Sequence, residues 1–135
     1  RIDYNDAGWY RKKLDIPADW FNKNRRIWLE FDAVATVAGI WVNNHWVGGN
    51  VGDYRRFRFD VTDHLVPGDN TLLVFVDELP GHLTQGFLSV IAPHHGGIWQ
   101  DVALYTSGRL SIPADGIHIQ ADTETGGVLV NVTID

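Results

Sequence analysis

IWVNNHWVGG, residues Ile40 to Gly49, sets a polar pair, Asn43-Asn44, between two apolar runs. A two-residue hairpin loop needs positive φ at its central positions, and after glycine asparagine tolerates that best. The stretch therefore reads as a β-hairpin. Ile40 and Val42 share one face, His45 and Val47 pair opposite them, and Gly48-Gly49 is expected to free the chain to leave the sheet. Trp41, between Ile40 and Val42, is expected in a core or between layers.

Outward from the hairpin the period stays at two. In RIWLEFDAV, Ile27, Leu29, Phe31 and Ala33 share one face, and Trp28, Glu30 and Asp32 the other. In RFRFDV, Phe57, Phe59 and Val61 alternate with Arg56, Arg58 and Asp60. TLLVFVD (Thr71–Asp77) is apolar on both faces and reads as a central, doubly covered strand, with the turn GDN before it. IWQDVALY (Ile98–Tyr105) alternates again. Helical character is confined to a turn at PADWFNK, where Pro17 suits a helix start, and another in VTDHLV. Short strands separated by Gly, Asn and Pro predict an all-β, antiparallel sandwich of about seven or eight strands before residue 107. One core is expected to hold Phe57, Phe59, Val74 and either Leu72 or Leu73.

SGRLSIPADG then reads as a final strand and a linker. IHIQAD and VLVNVTID flank the turn TETGG as a fresh hairpin. Two strands cannot build a core alone, so this hairpin reads as the opening of a second sandwich. The expected division is 1–112 for the first domain and 113–135 for the linker and first strands of the second. The chain opens on Arg1 and closes on a strand pattern, and so reads as a piece of something longer.

The 135 residues carry a net charge of −6, 44% apolar and 21% charged residues, an ordinary globular balance. RRFR (Arg55–Arg58) is too short to be a basic block, which argues against nucleic acid as a partner. With no cysteine, disulfides, thiolate zinc sites and cysteine nucleophiles are excluded. No apolar run reaches the length of a membrane-spanning helix, so no membrane partner is expected. Localisation is not fixed by these features.

Glycoside hydrolysis needs two carboxyl groups about 5–10 Å apart. The 17 acids here are spread singly along strand faces and turns, and Asp77-Glu78 would diverge on a strand. No catalytic pair is expected. His94 and His95 are adjacent, and neighbours on extended chain point to opposite faces. A metal shared with His82 is therefore disfavoured against local hydrogen bonding or the lining of a cleft; no metal and no cofactor is expected. GGNVG lacks the lysine and helix of a phosphate loop. Six tryptophans invite comparison with sugar-stacking faces, for which Trp28 and Trp20 are the better exposed candidates, although packing explains most tryptophans. Asn131 opens an Asn-Val-Thr sequon inside a strand. From Leu79 to Gly97 runs a segment of nineteen residues rich in Gly, Pro and His, longer than ordinary connections and of the kind that usually carries function.

The ordered set GWYRKKLDIP, RIWLEFDAVATVAGIWVNNHWVG, YRRFRFDVTDHLVPGDNTLLVFVD and GGIWQDVALY resembles the N-terminal sugar-binding domain of family 2 glycoside hydrolases, the group of β-galactosidase, β-glucuronidase and β-mannosidase. The resemblance runs over about residues 8 to 105, with Asn44 where the family usually has a turn glycine. It implies a jelly-roll-like, galactose-binding-domain-like sandwich, followed by an immunoglobulin-like domain whose start would be Ile117–Asp135. In the family a (β/α)8 barrel then supplies the catalytic glutamates, so this chain alone is expected to be inactive. Its expected partners are that barrel, the immunoglobulin-like domain, and a carbohydrate substrate met through the full-length enzyme. A free-standing carbohydrate-binding module is the alternative. By the same resemblance Asn5, in DYNDAGWY, corresponds to an asparagine at the active-site rim of β-galactosidases. Those enzymes place an aspartate before the Gly-Ile strand, where this chain has Ile91. The departure leaves His94 and His95 as candidates for that rim. Residues 80–97 are then expected at the end of the sandwich that Asn5 occupies, with Phe87, Leu88, Val90 and Ile91 facing the barrel.

Overall fold

The computed structural model of the chain describes residues 7–77, 96–113 and 116–134. Every strand pair in it is antiparallel. The strands are β1 (Gly8–Ile16), β2 (Arg25–Phe31), β3 (Val34–Ala35), β4 (Val37–Val42), β5 (His45–Val51), β6 (Phe57–Asp60), β7 (Gly68–Asp77), β8 (Gly97–Ile98), β9 (Val102–Gly108), β10 (Ile117–Ala121) and β11 (Val128–Val132). Single 3-10 turns cover Ala18–Trp20 and Thr62–His64, at the two places where the sequence broke its period of two.

Two sheets form the sandwich. One has the order β1-β7-β4-β5, the other β6-β2-β9, and the short pair β3-β8 joins them at one end. Alternation determines what each sheet buries. Ile16, Leu72, Val74, Val76, Ala38, Ile40 and Val42 face inward from the first sheet, and Ile27, Leu29 and Phe31 from the second. Phe57 and Phe59 are half-buried against this core and pair across β6 and β2 with Phe31 and Leu29. The expected core is therefore present, with Leu72 inward and Leu73 on the opposite face. β7 lies between β1 and β4; its outer face, Leu73 and Phe75, is half-buried.

The hairpin turns at Asn43 (φ 48°) and Asn44 (φ 66°), as the asparagine pair requires. Val42 faces His45 and Trp41 faces Trp46, and a bulge between Ile40 and Trp41 shifts the register so that Ile40 faces Gly48. Two expectations fail here. Gly48 and Gly49 do not release the chain, because β5 runs on to Val51. Gly48 instead receives the Phe59 ring, which would overlap a Cβ there. Trp41 lies outside the core, on the outer face, because its neighbours Ile40 and Val42 take the inner one.

IWQDVALY holds two strands rather than one. β8 pairs with β3, the chain breaks at Trp99–Asp101, and β9 pairs with β2. No further strand follows among residues 109–113; β9 already ends at Gly108. β10 and β11 form the expected hairpin as a two-stranded sheet of their own. No helix among the described residues is long and apolar enough to cross a membrane.

Candidate functional site

Register gives the sandwich two distinct ends. Gly8 at the start of β1 faces Val76, and Val37 at the start of β4 faces both Asp77 and Val51. The Thr36 N–H donates to the Asp77 carbonyl (3.1 Å), and the Gly52 N–H to the Thr36 carbonyl (2.8 Å). The β3-β8 pair, Val34 with Ile98 and Ala35 with Gly97, closes the same end. The strand ends that flank residues 1–6 and 78–95 thus lie together. Asn5, His94 and His95 themselves, and Phe87, Leu88, Val90 and Ile91, fall outside the described residues.

Residues that sequence reasoning passed over line this end. The Trp99 Nε1–H donates to the Asp53 carbonyl (3.0 Å), and the Trp99 and Tyr54 rings meet edge to face, 5.4 Å between centroids. Asp53 Oδ1 is buried without a hydrogen-bond partner among the described residues. The signals were GDY and GIW, each an aromatic beside a glycine turn. Nothing local shows that the two meet.

The outer faces of the two sheets differ in chemistry. On the second sheet the side chains satisfy one another. The Trp28 Nε1–H donates to Ser107 Oγ (2.9 Å), and the Arg58 guanidinium stacks 4.3 Å from the Trp28 ring. Arg58 Nη1 also donates to the Tyr105 hydroxyl (3.3 Å), which donates to Glu30 Oε2 (3.0 Å). Arg56 Nε pairs with Asp32 Oδ1 (2.7 Å) and lies 3.8 Å from Glu30 Oε1. Trp28 is therefore buried, as the packing reading expected and not as an exposed stacking face, because partners on β6 and β9 cover it. Trp20 is likewise not free: it packs half-buried against the core. The acids Glu30 and Asp32 are held in structural ion pairs rather than set facing one another across open space.

On the first sheet the outer face is aromatic. Trp9 lies 5.3 Å from Trp41 and 5.0 Å from Phe75, and Trp41 lies 4.7 Å from Trp46, between ring centroids. The exposed tryptophans are thus Trp9 and Trp46, with Trp41 between them, rather than Trp28 and Trp20.

Among the described residues no group of three or more His, Asp or Glu side chains could hold a metal ion. His45 and His64 stack at 5.6 Å, and His45 Nδ1 lies 3.0 Å from the Asn43 carbonyl oxygen. Asp122 caps the β10-β11 turn. Donation from the Thr125 hydroxyl, and from the Glu124 and Thr125 amides, holds its carboxyl below the ordinary aspartate value of 3.8. An open cleft of about 540 Å³ at the opposite end of the sandwich is walled by Lys23, Arg25, Arg26 and Arg109, with Asp60 and Asp63.

Comparison with known proteins bears on this architecture. The family model for the sugar binding domain of the glycosyl hydrolases family 2 matches residues 2–108. A β-glucuronidase of Formosa agariphila is 34% identical over 129 residues, covering 90% of this chain and 13% of that enzyme. A β-galactosidase of Thermoanaerobacter pseudethanolicus is 33% identical over 111 residues, covering 76% of this chain and 14% of the enzyme. The solved β-glycosidase of Bacteroides vulgatus superposes with a TM-score of 0.77 at 28% identity, over 96% of this chain and 16% of its own. The chain thus spans about an eighth of the length of the curated relatives it matches. Because the match runs through both sheets of the sandwich, from residue 2 to residue 108, this chain belongs to the sugar-binding domains of the family 2 glycosyl hydrolases.

Proposed function

We propose that the chain serves a β-glycosidase as a non-catalytic domain that helps shape the substrate site from one end of its sandwich. The barrel carrying the catalytic glutamates would stand against the end where β1 begins and β7 runs out. Asn5, His94 and His95 would reach the sugar from there. The observation that carries this reading is the register setting Gly8 beside Val76 and Asp77 beside Val37. Asn5 is three residues from Gly8, a reach of at most about 10 Å. The residue 78–95 segment departs from the same edge.

The hairpin β10-β11 would then open the second sandwich, with the division near residue 112. Ile117, Ile119, Val128, Leu129, Val130 and Val132 are all exposed. A two-stranded ribbon with apolar side chains on both faces gains stability only when further strands cover it.

The test has two arms. In the full-length enzyme, Asn5→Ala, His94→Ala and His95→Ala should raise KM or lower kcat on nitrophenyl β-galactoside, β-glucuronide or β-mannoside. Wild-type kinetics for all three would remove them from the rim. The 135-residue chain alone should show only background hydrolysis, since its described acids form no facing pair. Turnover that survives repurification and is lost on changing one acid of this chain would overturn the reading. The free-standing binding module is favoured by a different observation, the aromatic outer face.

A further inference from the structure

We infer that the open cleft at the end of the sandwich opposite the proposed rim is a binding site for a tetrahedral oxyanion, a phosphate or sulfate group. It lies where β2 begins and β9 ends, with Arg25 facing Gly108.

Separate pieces of chain bring cations to this cleft of about 540 Å³. Lys23 stands in the loop before β2, Arg25 and Arg26 open β2, and Arg109 follows β9. The backbone between them is fastened. The Arg25 N–H donates to the Asn22 carbonyl (3.1 Å), and the Asn24 N–H to Asn22 Oδ1 (3.0 Å). The Arg109 N–H donates to the Asn24 carbonyl (2.9 Å), which ties the loop to the end of β9. The cations are therefore carried on backbone whose spacing is already set when a ligand arrives.

The acids in the wall do not cancel this charge. Four cations stand against two carboxylates, Asp60 and Asp63. Asp60 is already engaged within the wall. Its Oδ1 accepts from the Thr62 N–H (3.0 Å) and the Thr62 hydroxyl, and its Oδ2 lies 3.9 Å from Arg26 Nε. The side chains of Lys23, Arg25 and Arg109 have no ion pair or hydrogen bond among the described residues, and in the wall only Asp63 is left to balance them. In a chain of net charge −6 this is a local reversal of sign, which concentrates anions. No aromatic side chain is among the described residues that line the cleft, so it offers a sugar ring no stacking face. Its chemistry is that of charge and hydrogen-bond donation. A guanidinium fork matches the oxygens of phosphate, sulfate or carboxylate. The direction of approach separates these. The donors come from the loop, from β2 and from the end of β9. A tetrahedral group presents oxygens to several sides at once, whereas a carboxylate offers one planar edge.

The experiment measures binding to the 135-residue chain by calorimetry, using inorganic phosphate, inorganic sulfate, a hexose phosphate, glucuronate and glucose. The tetrahedral oxyanions should bind saturably and more tightly than glucuronate, and glucose should not bind. Arg25→Gln with Arg109→Gln should weaken that binding at least about tenfold, as the loss of charge-assisted contacts requires. Arg25→Lys keeps the charge but loses the fork, and should weaken it less than Arg25→Gln. Arg11→Gln removes an exposed cation from β1, away from the cleft, and should change nothing. Circular dichroism and the melting midpoint confirm folding, and the single variants replace the double one where it unfolds. Equal affinity for inorganic phosphate and the hexose phosphate supports the inference with the free ion as ligand; tighter binding of the ester supports it with a substituted sugar. Absence of saturable oxyanion binding overturns it. So does binding that the Arg25 and Arg109 variants retain, that Arg11→Gln weakens as much, or that glucuronate equals. The rim reading is judged on enzyme kinetics and this cleft on oxyanion binding, so each can fail without the other.

Discussion

Asn43 illustrates how much one residue does beyond its backbone angle. Its φ of 48° could be read from the sequence, because the Asn-Asn pair has one economical conformation between apolar runs. Its partners could not. Asn43 Nδ2 donates to the His64 carbonyl (2.8 Å) and to Asn70 Oδ1 (2.7 Å), and its Oδ1 accepts from the Thr71 N–H (2.9 Å). Asn70, 3% exposed, in turn accepts from the Val66 amide and donates to the Val66 and Gly68 carbonyls. The turn is thereby tied to the 3-10 turn at His64 and to the start of β7, 21 to 28 residues away. Asn43→Ala loses these bonds and leaves a Cβ without the polar side chain that eases the left-handed conformation. It should cost about 3 kcal/mol in urea unfolding of this chain. Asn43→Gly keeps the angle and should cost about 1 kcal/mol less. Equal costs for the two would show that the angle is irrelevant, and no cost would dismiss the network. Asn44, exposed and without such bonds, should accept glycine with little change.

At the scale of strands, alternation was legible and coverage was not. The pattern in RIWLEFDAV correctly separates Ile27, Leu29 and Phe31 from Trp28, Glu30 and Asp32. It does not reveal that Arg58 and Ser107, 30 and 79 residues along the chain, close over Trp28. The same parity, applied to Ile40 and Val42, would have put Trp41 outside. Gly48-Gly49 misled because glycine marks both chain exits and close approaches, and only the partner strand distinguishes them. Gly48 belongs to the second kind, and this is testable. Gly48→Ala pushes a methyl into the Phe59 ring that bridges β5 and β6. Overpacking of this sort should cost about 2 kcal/mol, measured as a fall in the urea midpoint with unchanged m value. Adding Phe59→Leu to Gly48→Ala should cost less than the sum of the two single changes. Strict additivity would mean that the ring and the methyl do not meet.

For the whole molecule, the candidate site was the least legible part. A resemblance pointed to Asn5, His94 and His95, but a rim is assembled from strand ends far apart in sequence, and only register shows which ends are neighbours. Register also fixes a direction. β1 enters at the Val76 end with Gly8, whereas β9 leaves beside Arg25 with Gly108, at the other end of the sandwich. Tension applied between these two points would pull β1 along its own axis against β7, and β9 likewise against β2. Every rung of the nine-residue β1-β7 ladder would then carry load at once rather than peel one after another. In single-molecule pulling, handles at residues 8 and 108 should therefore give a high rupture force. Handles at residues 16 and 68, which face each other across the far end of the same ladder, should unzip it at a much lower one. Equal forces would contradict the shear geometry. A domain held this way transmits strain along its length without yielding, and can keep a neighbour at one end at a fixed distance from a neighbour at the other.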